Sequence, residues 1–97
     1  MSINIDEQIN TLEETKNKLN QYFKDLGIID YKDKVKELEN QMTSPSFWND
    51  QENANKITKE VSNLKKTYNE WDNLIKSVDN LIEIGYMIKE GYEEFYE

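Results

Sequence analysis

Apolar residues recur along this chain at helical spacings, and no segment alternates as a strand would. Ile5, Ile9, Leu12, Leu19, Phe23 and Leu26 fall on one stripe, the three-to-four-residue recurrence of an amphipathic helix. Lys16 interrupts the stripe, where its stem can lie along apolar surface while the ammonium reaches water. Gly27 then supplies a C-terminal stop, so the first helix is predicted over residues 4–26.

Asp30 is placed to cap a second helix, predicted over residues 30–42, by accepting a hydrogen bond from a first-turn amide. Tyr31, Val35, Leu38 and Met42 form its apolar stripe. Pro45 ends it, because proline lacks an amide donor and pushes Ser44 away from helical angles. Asn49 and Glu52 have the spacing of a capping box that starts a third helix. Two rows repeat every seven residues along it: Ala54, Val61, Tyr68, Ile75 and Ile82, and Ile57, Leu64, Trp71 and Val78. Such a sustained heptad pattern predicts coiled-coil-like packing. Glu52 with Lys56, and Asp72 with Lys76, add four-residue ion pairs on the outer face.

Gly85 and Gly91 weaken the pattern, so the third helix is predicted over residues 50–84, with residues 85–97 as the start of a further, truncated element. The expected fold is all-α: a single helical domain over residues 1–97, built as an antiparallel three-helix bundle. Its helices should run up-down-up, with the third the longest.

Composition narrows the functional classes. Charged residues make up 33% of the chain and the net charge is −8. All twelve basic residues are lysine. Because Arg is the preferred bidentate reader of guanine and phosphate neutralisation drives nucleic-acid affinity, a large direct DNA or RNA footprint is not expected. A protein partner fits better. The absence of His and Cys excludes Ser-His or Cys-His nucleophiles and His-ligated metal sites. Neighbouring carboxylates at Glu13/Glu14 and Glu93/Glu94 point about 100° apart on a helix and cannot converge on one bond. No glycine-rich phosphate loop is present, and no cofactor is expected. Neither a signal-peptide core nor a membrane span can be built, so the chain is expected to be cytoplasmic and not membrane-bound.

Phe47 and Trp48 stand out as two large aromatics in a turn. Two roles suit them: plugging the gap between the second and third helices, or anchoring a partner. The first implies that both are buried and that Trp48→Ala costs roughly 3 to 5 kcal/mol.

The run Pro45, Ser46, Phe47, Trp48, Asn49, Asp50, Gln51, with Asp30-Tyr31, Leu38-Glu39 and Met42 before it and Ala54, Lys59 and Leu64 after, resembles the peptide chain release factor 2 family. Similarity is sharp over about residues 26–66, and the loop residues Pro45, Phe47, Trp48, Asn49 and Asp50 carry its most specific part. The resemblance implies the helical N-terminal domain of a translation termination factor. Such a domain faces the base of the large-subunit stalk of the ribosome and communicates with the release-factor GTPase. In that family, later domains read UAA and UGA through a Ser-Pro-Phe motif and place a Gly-Gly-Gln loop for peptidyl-tRNA hydrolysis. Neither motif occurs in this chain, which is therefore not expected to be an enzyme by itself. Ile29 departs from the family's usual Leu before the Asp-Tyr pair, the site of a programmed frameshift, so the gene is expected to lack that device. A free-standing helical coiled-coil interaction module is the alternative, but such a protein has no need of an aromatic pair in a turn.

Overall fold

A computed structural model of the chain describes residues 4–96, and the side chains of residues 4–91. Three α-helices occur in it, α1 (Ile5–Asp25), α2 (Tyr31–Gln41) and α3 (Gln51–Tyr96), with short 3-10 turns at Ile28–Asp30 and Pro45–Asn49. No strand appears among the described residues. The all-α class, the helical bundle and the long third helix are as the apolar periodicity predicts.

Local chemistry sets the helix ends. Asn4 caps α1, its Oδ1 accepting from the Glu7 amide at 3.1 Å, and Asp6 and Glu7 in the first turn oppose the helix dipole. Gly27 ends the helix in the left-handed region at φ 75°, and its amide donates to the Lys24 carbonyl at 3.0 Å. Asp30 stands at the start of α2, but its side chain makes no capping bond, contrary to the sequence expectation. The 3-10 turn before it removes the need: Asp30 and Tyr31 are already helical in their backbone, and the Tyr31 amide donates to the Ile28 carbonyl.

Packing groups the chain into two compact units: Met1–Tyr22 with Asp72–Glu97, and Phe23–Trp71. In the first, α1 lies against the later part of α3. Ile9 is buried there against Gly85. Lys89 reaches Asp6 at 2.7 Å and Lys16 reaches Asp79 at 2.6 Å, while the Tyr86 hydroxyl donates to Glu13 at 2.7 Å. Partners rise along α1 as they fall along α3, so the two helices are antiparallel.

In the second unit, α2 lies against the earlier part of α3. Glu39 pairs with Lys65 at 2.8 Å, and Lys32 sits 5.0 Å from the centre of the Tyr68 ring. This pair is antiparallel too. Phe23, near the end of α1, meets Tyr68 with ring centroids 5.4 Å apart. Val35, Phe47, Ala54 and Val61 are buried in this unit, as is Ile28, which the helical stripes did not single out.

These pairings correct the expected up-down-up order, in which α1 would run parallel to α3. The physical reason is length: α3 has 46 residues against 21 for α1 and 11 for α2, so each shorter helix finds its own stretch of α3. A second correction concerns the end of α3, which does not stop between Gly85 and Gly91 but continues to Tyr96. An interior glycine costs a helix only about 1 kcal/mol relative to alanine, and the contacts of Gly85, Tyr86 and Lys89 with α1 outweigh that. The expected separate element over residues 85–97 is therefore helix up to Tyr96, and Glu97 lies outside the described residues.

Of the heptad rows, Ala54, Val61, Val78 and Ile82 are buried and the other five residues are half-buried. Leu26, expected in the α1 stripe, is 61% exposed, because the helix has ended before it. The Asp72–Lys76 pair forms at 2.7 Å, whereas no Glu52–Lys56 pair occurs among the described residues.

Candidate functional site

The turn between α2 and α3 is built residue by residue from its sequence. As α2 runs out, the Met42 amide still donates to Leu38 and Glu39, and the Thr43 hydroxyl to the Asn40 carbonyl. Ser44 is extended at φ −77°, ψ 129°, as a residue before proline should be. Pro45 then opens the 3-10 turn with its fixed φ and no amide to leave unpaired. The Phe47 amide donates back to the Ser44 carbonyl at 3.1 Å, closing the turn.

Phe47 and Trp48 take different roles. Phe47 is 8% exposed, buried as the structural reading of the pair requires. Trp48 is 55% exposed, which corrects the expectation that both rings are buried. Adjacent residues in a tight turn point in different directions, so burial of one ring leaves the other facing outward. Yet Trp48 is not loose. Its Nε1 donates to the Met42 carbonyl at 3.0 Å, and its ring meets Phe47 edge-on with centroids 5.0 Å apart. The indole is therefore fixed in place with part of its surface turned to solvent.

Asp50 closes the motif and caps α3. Its Oδ1 accepts from the Asn53 amide at 3.1 Å, and its carbonyl accepts from the Ala54 amide at 2.9 Å. The predicted capping box at Asn49 and Glu52 is thus shifted by one residue: Asn49 belongs to the 3-10 turn and is exposed, and Asp50 is the first residue in register with α3. Pro45, Trp48, Asn49 and Asp50 share an exposed surface whose rigid element is the Trp48 ring.

No group of three or more acidic side chains able to hold a metal occurs among the described residues. Of the carboxylate pairs, Glu13 accepts a hydrogen bond from Tyr86, and Glu93 and Glu94 lie outside the described side chains. No described helix is long and apolar enough to cross a membrane. What the loop offers is a fixed, half-exposed aromatic, a feature typical of protein interfaces.

Comparison with known proteins gives the surface a context. The PCRF domain profile matches residues 31–97. Peptide chain release factor 2 of Staphylococcus epidermidis is 35% identical over 83 residues, covering 86% of this chain and 22% of that protein. The Listeria innocua protein of the same name is 31% identical over 85 residues, covering 88% of this chain and 23% of its own length. That of Clostridium perfringens is 28% identical over 94 residues, covering 97% and 26%. The chain thus spans about a quarter of the length of these relatives. No solved structure matches it. With the profile laid over most of the chain and the turn of Phe47 and Trp48 inside it, the chain belongs to the peptide chain release factor family through its PCRF domain.

Proposed function

We propose that this chain serves as the ribosome-docking domain of a translation termination factor. The observation that carries the reading is the half-exposed Trp48, held by its Nε1–Met42 bond in the loop that most specifically resembles the release factor 2 family. An aromatic ring already immobilised loses little entropy on binding, which favours its use as an anchor. The acidic chain without arginine favours a protein contact over RNA.

In this proposal the domain faces the base of the large-subunit stalk and takes part in communication with the release-factor GTPase. Reading of UAA and UGA and hydrolysis of the peptidyl-tRNA ester belong to other parts of the full-length factor. This portion contributes position and no chemistry, so the purified chain is expected to give no stop-codon-dependent peptide release.

Introducing Trp48→Ala into the full-length factor tests the reading. Ribosome binding should weaken by roughly tenfold or more, the scale of a lost aromatic anchor, while the thermal midpoint falls by only a few degrees. Ribosome affinity unchanged by the substitution would overturn the anchor role, and release by the purified chain would overturn the docking role.

A further inference from the structure

Charge is unevenly shared along this chain. Phe23–Trp71 carries eight lysines against nine carboxylates, a net of −1, whereas the remaining residues carry four against eleven, a net of −7. Within Phe23–Trp71 five of the eight lysines line two adjoining hollows on α2 and α3, which share Tyr31 and Leu64 as walls. One, of about 350 Å³, has an apolar floor that includes Val35 and a rim of Lys32, Lys36 and Lys65. The other, of about 440 Å³, is flanked by Lys56 and Lys59.

Two of these cations are already engaged. Lys65 pairs with Glu39, and Lys32 lies over Tyr68. Lys36, Lys56 and Lys59 are exposed and form no ion pair among the described residues. A groove with an apolar floor and uncompensated cations on its rim is complementary to a ligand with apolar side chains on one face and carboxylates on the other.

We propose that this groove binds an acidic amphipathic protein segment, its apolar side chains seated on Tyr31, Val35 and Leu64 and its carboxylates on Lys36, Lys56 and Lys59. A nucleic-acid backbone fits less well. The rim has no arginine, and a polyphosphate chain gains nothing from the apolar floor. None of the lining residues belongs to the Trp48 loop, so the groove does not depend on the docking role proposed above.

The test uses the purified chain and a fluorescein-labelled helical peptide with glutamates on one face and leucines on the other. Controls are the same peptide with lysines for glutamates, the same peptide with serines for leucines, and single-stranded polyuridine. The acidic amphipathic peptide is expected to bind, to weaken as salt rises, and to perturb the NMR signals of Tyr31 and Leu64. Combining Lys36→Glu with Lys59→Glu, both on exposed helix positions, should weaken it roughly tenfold or more with unchanged helicity by circular dichroism. Trp48→Ala should leave this binding intact, which separates failure of the groove from failure of the loop. Binding of the lysine or serine peptide as tight as that of the acidic one, tighter binding of polyuridine, insensitivity to the double reversal, or no binding of the acidic peptide would each overturn the proposal.

Discussion

The Cγ1 atom of Ile9 lies 2.9 Å from the point where a Cβ on Gly85 would stand. Ile9 is 3% exposed and the contact is made by a branch near its backbone, so it has no room to withdraw. The glycine in α3 is thus a notch that lets α1 approach, and it belongs to the interface and not to a helix end.

Gly85→Ala is therefore expected to destabilise the protein by about 1 kcal/mol, the balance of ~1 gained in helix propensity and ~2 lost to overpacking. Gly91, where an added Cβ meets nothing within 4 Å, provides the contrast. Gly91→Ala should stabilise by about 0.5 to 1 kcal/mol through propensity alone. Denaturant melts of the two variants should move in opposite directions, and movement in the same direction would refute the notch.

The two aromatics of the α2–α3 turn should differ in cost. Phe47 is buried, so Phe47→Ala should remove about 3 kcal/mol. Trp48→Ala removes a half-exposed ring, its bond to the Met42 carbonyl and its edge contact with Phe47, for about 1 kcal/mol in total. Paired chemical melts measure the difference, and a Trp48→Ala loss as large as that of Phe47→Ala would place the indole in the core.

Capping of α3 separates Asp50 from its neighbour. Asp50→Ala should cost about 1 kcal/mol by freeing the Asn53 amide, whereas Asn49→Ala, on an exposed residue, should stay within about 0.5 kcal/mol of wild type. Thermal midpoints of the two variants decide whether the cap sits at the residue the structure assigns.

Tyr86 makes unit Met1–Tyr22 with Asp72–Glu97 sensitive to alkali. Its phenol is raised above 10.0, first by the hydrogen bond it donates to Glu13 and then by the charge of that carboxylate. Folding raises the value, so this contribution to stability is complete below the unfolded pKa of 10.0 and is lost as pH climbs through the higher folded one. The titration of Tyr86, taken as the ultraviolet difference between wild type and Tyr86→Phe, should lie above that of a free tyrosine. Glu13→Gln should bring it back toward 10.0, and a titration indifferent to Glu13 would contradict the contact.

Much of the fold was legible from spacing. The seam of Ile9, Val35, Ala54, Val61, Val78 and Ile82 is buried where helical periodicity puts it, because one face of a helix must leave water whatever it packs against. Gly27 as a stop and Pro45 as a break followed from backbone sterics, which act within a few residues. The loop from Pro45 to Asp50 was also visible, since two large aromatics in a turn have no helical explanation.

Other features depend on residues distant in sequence, and no local pattern carries them. The sequence determined that the chain is helical and where its apolar faces lie. Only the tertiary structure decided that α1 runs antiparallel to α3, because direction is set by which partner each seam finds, as in Ile9 on Gly85 and Lys16 on Asp79. It also turned Gly85 from a helix breaker into a contact, and allotted Phe47 to the core and Trp48 to the surface. Periodicity records that a face is apolar. What covers that face, and which of two adjacent rings fits beneath it, is fixed by the space left between packed helices.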